Sequence, residues 1–300
     1  MPYSFRNILL PTDFSEEAEN ALATAIVLCR KHNAVLHLMH VKENRYLVGE
    51  PGSETAMQSI LQGIDNDTRE HLYNIYESVI RTGIAVQIHM PTGVPYDEIC
   101  RATDVMPIDL VVMGTHGISG KRSSFIGTTA YHVVRNSTKP VLTIPVSFKK
   151  EYFQYILFPV RAVPGIKEKY DYVLSLLNPT ADRLHFDMVQ HIIGQAVDEQ
   201  TIEDINQSFM AYNNTGQFET YRGDDIAAYI LSIASSGMTD LIAINTTLDY
   251  KNSQLFMNPY VQRMISNANV PVLSFRQAID LPTQIKKNDD LRLVKKISSL

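Results

Sequence analysis

Short apolar runs rich in Val, Ile and Leu alternate along the chain with longer stretches whose apolar positions recur every three or four residues. In the first half the short runs are Asn7–Pro11, Val35–Val41, Ala85–Met90, Leu110–Gly114 and Val141–Ile144. Their near-continuous hydrophobicity is that of strands covered on both faces. Ala18, Ala21, Leu22, Ala25 and Cys29 fall at helical spacing behind Ser15, a good N-cap, with Glu16 and Glu17 placed to favour the first turn. Further helices are predicted over about Thr68 to Arg81, from Pro95 onward (a suitable first-turn residue) and over Thr128 to Asn136. The order βαβαβαβαβ predicts an α/β fold with a parallel, doubly wound, Rossmann-like sheet and right-handed crossovers.

The pattern then repeats. Asn7-Ile8-Leu9-Leu10-Pro11 resembles Tyr155-Ile156-Leu157-Phe158-Pro159 at an offset of 148, which also lays Val35-Leu36-His37-Leu38 on Arg183-Leu184-His185-Phe186 without a gap. Asp109-Leu110-Val111-Val112-Met113 matches Asp240-Leu241-Ile242-Ala243-Ile244 at an offset of 131, which persists to Pro140-Val141-Leu142 against Pro271-Val272-Leu273. The second copy is thus 17 residues shorter (148 minus 131), and the loss is expected between Tyr46 and Asp67, a stretch that reads as a long loop and helix start. Its strands are expected at Ile156–Pro159, Leu184–Val189, Gln217–Tyr221, Leu241–Asn245 and Val272–Phe275. Two tandem domains are predicted, 1–147 and 152–275, joined near Ser147 to Glu151 and followed by a polar, solvated tail, 276–300.

Bulk properties narrow the classes. The chain has 300 residues, enough for two domains, and a formal net charge of −5, which argues against a general nucleic-acid binder. No apolar run approaches the roughly 20 residues needed to span a bilayer, and Met1 to Leu10 lacks a signal-peptide layout. The two cysteines, Cys29 and Cys100, fall in predicted helices and read as thiols of a reducing compartment. A cytoplasmic protein, with neither membrane nor nucleic acid as partner, is the expectation.

The candidate chemistry lies in the segment that begins at Asp109. Strand four ends at Gly114; Gly117 follows, and Gly127-Thr128-Thr129 opens a helix. Gly114 and Gly117 would let the chain turn and a ligand approach its backbone. The amides at Gly127, Thr128 and Thr129 would point out of a helix N-terminus whose dipole favours an anion, with two hydroxyls beside them. Lys121 and Arg122 in the intervening flap could add positive charge. A Walker P-loop is excluded, because Thr115 and Arg122 stand where it needs a glycine and a Ser or Thr.

The spaced motif Gly114-x2-Gly117-x9-Gly127-Thr128 resembles the ATP-binding signature of the universal stress protein family, as do the opening Ile8-Leu9-Leu10-Pro11-Thr12-Asp13, the Gly114-Thr115-His116-Gly117 turn and the Pro140-Val141-Leu142 strand. The likeness covers the first copy almost end to end and the second weakly; paired copies are similar to the tandem members. It implies an adenine nucleotide alpha hydrolase-like fold binding ATP or another adenine nucleotide. Asp13 would reach the ribose or a phosphate-bound Mg²⁺. The Val41 backbone would meet the adenine, and Pro11, Thr12, Met113 and Gly114 would line the base and sugar. Gly117, Gly127, Thr128, Thr129 and Ala130 would hold the phosphates, with His116 in the same loop as a turn residue or phosphate donor. Ile118 departs from the basic residue that members often carry after this glycine. By the same resemblance the final strands, Val141–Ile144 and Val272–Phe275, would pair within the chain and imitate a family dimer; a homodimer of two chains is compatible with the pattern.

In the second copy the motif positions become Asn245, Leu248, Asn258 and Pro259, and Asp13 becomes Arg161, so no ATP is expected there. His185, Asp187 and His191 superficially suggest a metal site, but the alignment of His185 with His37 reads as a packed core histidine. No nucleophile, base and orienting group stand at plausible spacing. The expected role is a nucleotide-dependent stress sensor or regulator. The rivals are a scaffold that works without nucleotide, and, further off, a slow ATPase or a nucleotidyltransferase.

Overall fold

A computed structural model of the chain describes residues 3–43, 54–115, 127–150, 152–160, 166–177, 183–191, 197–246 and 259–276. The first half runs β1 (Asn7–Pro11), α1 (Glu16–His32), β2 (Val35–Met39), α2 (Glu54–Ile80), β3 (Val86–His89), α3 (Pro95–Val105), β4 (Leu110–Gly114), α4 (Thr128–Asn136), β5 (Val141–Ile144). The second runs β6 (Tyr155–Val160), α5 (Ile166–Leu177), β7 (His185–His191), α6 (Glu199–Ala211), β8 (Thr215–Tyr221), α7 (Ile226–Ser235), β9 (Leu241–Asn245), α8 (Pro259–Asn267), β10 (Val272–Phe275). Helix α1 starts where its cap chemistry says it should: the Ser15 hydroxyl accepts from the Ala18 N–H, and Asn33, in the left-handed region, closes the helix.

All ten strands form one sheet in the order β3-β2-β1-β4-β5-β10-β9-β6-β7-β8. Every pairing is parallel except β5 with β10, where Val272 meets Thr143 and Ser274 meets Val141. Each half is therefore doubly wound, with its order reversing between β1 and β4 or between β6 and β9. One buried layer gathers residues of α1, α2, α5 and α6 with alternate strand residues such as Leu36, Leu38, Phe158 and Phe186. The other gathers α3, α4, α7 and α8 with Leu9, Val111, Leu157 and Ile242. Both layers run across the β5–β10 seam. Tyr172 of α5 crosses it, packing on Phe5 and Phe275 and donating its hydroxyl to the Asp109 carbonyl at 2.9 Å.

The repeat has a structural signature. Asp109 accepts from the Arg6 and Asn7 amides at 2.7 and 2.9 Å, and Asp240 accepts from the Gln154 and Tyr155 amides at 2.9 and 3.0 Å. The α4/α8 and β5/β10 pairs sit 131 residues apart at both ends. The shortening falls where it was expected: α2 has 27 residues and α6 has 13, and α6 matches Thr68–Ile80 at the offset of 131, so the extra part of α2 is Glu54–Asp67. The gapless match from β1 through β2 fails, because Asn7 pairs with Val35 whereas Tyr155 pairs with His185, two residues later than the offset requires. Asp187, and not His185, therefore takes the place of His37. His37 is buried, while the His185 side chain is 32% exposed and bonds Thr215 and Asp187, so it is no core histidine.

Candidate functional site

The pairing of β1 with β4 holds only at Ile8↔Leu110 and Leu9↔Val111, near their amino ends. Past that the strands part, and the carboxyl ends of β1, β2 and β4 face the start of α4. This is the switch point at which open α/β sheets take ligands.

Thr12 leaves β1 still tied to β2, its amide donating to the Met39 carbonyl at 2.8 Å. The next residues are folded tightly. Thr12 Oγ1 accepts from the Phe14 amide at 3.1 Å, and Asp13 Oδ1 accepts from the Ser15 amide and hydroxyl at 3.1 and 2.6 Å. Phe14 pays for this turn with a φ of 65°, a left-handed conformation that bulky residues seldom adopt. What holds it is a residue that sequence reasoning missed. His40, at the end of β2, stacks on the Phe14 ring at 4.7 Å and donates from Nδ1 to the Thr12 carbonyl at 2.9 Å; a carbonyl only accepts, so Nδ1 carries the hydrogen. His71 of α2 flanks the same ring at 5.3 Å. The only available signal was His40's place beside Val41.

Val41 is the residue whose backbone is expected to meet an adenine. His40 and Lys42 turn their amides toward β3, donating to the His89 and Pro91 carbonyls at 3.0 and 2.8 Å. Alternation along an extended chain then aims the Val41 N–H and C=O toward β1, which has already turned away. Among the described residues neither group has a hydrogen-bond partner.

Across the crevice, Gly127 caps α4 with a φ of −58° and offers no side chain to close the helix end. Its own N–H is not free: it donates to the Thr115 carbonyl at 2.9 Å, while its carbonyl accepts from Tyr131 at 2.9 Å. That hydrogen bond ties the end of β4 to the start of α4. The amides of Thr128, Thr129 and Ala130 follow in the first turn, and none has an acceptor among the described residues. Gly114 is a glycine for a different reason from the expected ligand approach. A Cβ there would lie 2.9 Å from the Glu17 Cβ and 3.0 Å from its carbonyl carbon, so the residue lets α1 lie against β4. Pro11, Thr12, Met113, Gly114 and Ala130 are buried, and Asp13, Gly127 and Thr129 half-buried around the same ends. His116 and Gly117, like Ile118, Lys121 and Arg122, lie outside the described residues, as do Arg161, Leu248 and Asn258 of the second half. Pro259 opens α8 at the position of Thr128 and has no N–H to offer.

Other polar groups lie elsewhere. His37, bonded to His89 and Asn7 at 3.0 Å each, sits under β1 away from the crevice; burial, then the His89 neighbour, pushes it down to about 4. Burial raises the Cys29 thiol to about 12 and Cys100 to about 11, so neither is a ready nucleophile. Among the described residues no three His, Cys, Asp or Glu side chains are grouped to hold a metal. No described helix is long and apolar enough to cross a membrane.

Doubly wound α/β halves with a crevice at the switch point define the class of protein. The model of the Universal stress protein family matches residues 4–145. A universal stress protein of Thermus aquaticus is 32% identical over 143 residues, which is 47% of this chain and 98% of that protein. One from Methanocaldococcus jannaschii is 27% identical over 157 residues, 48% of this chain and 97% of its own length. The chain belongs to the universal stress protein family. Both halves are matched by the crystal structure of a universal stress protein from Archaeoglobus fulgidus, which covers 90% of this chain and 98% of its own at a TM-score of 0.66; its 17% identity speaks to the fold.

Proposed function

We propose that the first half binds ATP or another adenine nucleotide in the crevice between β1 and β4, and that the chain acts as a nucleotide-dependent regulator in the cytoplasm. The observation that carries the reading is the pair of open backbone edges that face each other there. Val41 offers one donor and one acceptor, the pairing an adenine edge requires, and α4 offers the uncapped amides of Thr128, Thr129 and Ala130 to a phosphate. Pro11, Thr12, Met113 and Gly114 line the space between. Gly127 contributes by leaving the helix end bare, since its amide is held by Thr115. Asp13 has one carboxylate oxygen occupied by Ser15, so Mg²⁺ would arrive on the nucleotide, with Asp13 at most one ligand. His116 and Gly117 complete the proposed loop. Nucleotide occupancy would act on partner binding through the flap from Ile118 to Ile126; no hydrolytic step is proposed.

The domain division belongs to the same proposal: 1–147 binds nucleotide, 152–275 is a degenerate copy, and 276–300 is a tail. The antiparallel meeting of β5 and β10 supports the idea that one chain stands in for a dimer. Calorimetric titration with Mg-ATP tests the reading. Wild type is expected to bind and Gly127→Arg, which fills the bare helix end, to lose at least about 10-fold in affinity, a step of about 1.4 kcal/mol. Equal binding by both, or none by wild type, would leave the scaffold reading in its place.

A further inference from the structure

The second half lacks the glycine motif of the first, yet it buries polar groups that are unpaired among the described residues. Lys169 is 6% exposed and Gln190 7% exposed, and among the described residues neither the Lys169 ammonium nor the Gln190 side-chain N–H₂ has a hydrogen-bond partner. The same holds for the Asn245 side-chain oxygen. Buried polar atoms are ordinarily paired, and a solitary buried ammonium is costly.

These three groups share a place. The buried stripe of α1 (Ala21, Thr24, Ala25, Leu28, Cys29) recurs in α5 as Lys169, Tyr172, Val173, Leu176 and Leu177, each at the offset of 148. Lys169 thus stands where Ala21 lies against the sheet. Helical side chains lean toward their N-terminus, so its long stem runs back toward the carboxyl end of β9. There Gly114 of the first half is replaced by Asn245. Gly114 is covered by Glu17, and the matching position of the second half, 165, lies outside the described residues. Asn245 shares its face of β9 with Leu241 and Ala243, and Gln190 shares its face of β7 with Phe186 and Met188; all four apolar residues belong to the layer under α5. The pairing of β6 with β9 stops at Leu157↔Ile242, so here too the strands part at their carboxyl ends. Gln190 pairs with the buried Val160 of β6 and Asn245 lies beyond that strand on the other side, roughly 10 Å from Gln190 as two strand spacings, so that a ligand would lie across Val160 with Lys169 on the helix above.

We propose that this second crevice is a binding site for a small hydroxylated oxyanion, held by Lys169 and Gln190 at its charged end and by Asn245 through a hydroxyl. Two donors, one of them cationic, suit a phosphate or carboxylate, and the lone acceptor suits a hydroxyl about one sugar length away. An adenine nucleotide is not the occupant, because Pro259 removes a donor at the α8 end. Desolvation lowers Lys169 to about 8, which keeps it charged for an anion at neutral pH while making the empty site unfavourable. The proposal stands apart from the nucleotide reading of the first half.

Thermal unfolding of the full chain tests it, in saturating Mg-ATP and again in the Gly127→Arg variant, so that the first crevice cannot account for the response. The probes are glycerol 3-phosphate, glycerate and inorganic phosphate, the first two separating a phosphate from a carboxylate source. At least one hydroxylated oxyanion is expected to raise Tm in both backgrounds, at lower concentration than inorganic phosphate. Lys169→Met is expected to weaken that response about 10-fold or more, the loss of a charge-assisted hydrogen bond, and to raise Tm without ligand. Gln190→Leu serves as the second variant. If no hydroxylated oxyanion shifts Tm, or if both variants respond as wild type does, the proposal is overturned. Failure of ATP to bind while Lys169-dependent shifts persist would overturn only the first-half reading.

Discussion

At the residue scale, two side chains carry costs that other groups must offset. Phe14 holds a left-handed φ of 65° with His40 stacked on its ring and His71 tilted against it. His40→Ala removes both the stack and the donor to Thr12, and is expected to cost about 1–2 kcal/mol in chemical denaturation, with ATP affinity falling in the same variant. Gly114→Ala must push α1 off β4, because the obstruction is the Glu17 backbone; overpacking of this kind costs about 1–3 kcal/mol. His37 gives a pH dependence of definite sign. Its folded value of about 4 lies below the ordinary 6.5, so the unfolded chain binds the proton more readily. Its contribution is full above pH 6.5 and is lost as pH falls from there toward 4, on the order of 2 kcal/mol. Denaturant midpoints at pH 7 and pH 4.5 should differ more for wild type than for His37→Gln. A sequence reader could place the glycines but not their reasons. That Gly114 answers to Glu17, 97 positions earlier, depends on how α1 crosses the sheet. His40 likewise acts through a contact with the β1–α1 turn that no periodicity announces.

At the element scale, the strands were the most legible part. Asn7–Pro11, Leu110–Gly114, Val141–Ile144, Leu241–Asn245 and Val272–Phe275 begin and end where their apolar runs do, because both faces are buried and every residue counts. The spacing predicts α2 only from about Thr68, whereas it begins at Glu54, because its amino half mixes Gly63, Ser59 and acidic residues that resemble a loop. Register proved the weakest inference. The two-residue slip between β6 and β7 exchanges no faces, since two is the strand period, and so left no trace in the hydrophobic pattern. The carboxylates that receive the amides at the start of β1 and β6 were visible only as aligned aspartates. Asp109→Ala and Asp240→Ala each strand two amides and are expected to cost about 1–3 kcal/mol. Their stability losses, compared in single and double variants, should add if the two halves unfold as one.

At the scale of the whole molecule, the two halves share a sheet and two buried layers. Thr143 donates to the Val272 carbonyl at 3.2 Å across the seam, and Asn20 of α1 donates to the Pro145 and Phe148 carbonyls at 2.8 and 2.7 Å. A charged substitution there, Leu273→Asp, is expected to unfold both halves together; separate transitions in calorimetry would show that they are independent. The repeat was legible because insertions spared the strand blocks. The proposed difference between the two crevices is only half legible: lost glycines are visible in a sequence, but Lys169 reads as one more helical lysine until the fold buries it.

The central claim is that the bare end of α4 and the open backbone of Val41 together grip an adenine nucleotide. Backbone amide resonances followed during Mg-ATP titration test it most directly. The largest shifts should fall on Val41, Thr128, Thr129 and Ala130, with the amides of α8 unmoved. An unchanged spectrum at saturating nucleotide, or shifts confined to the second half, would contradict it.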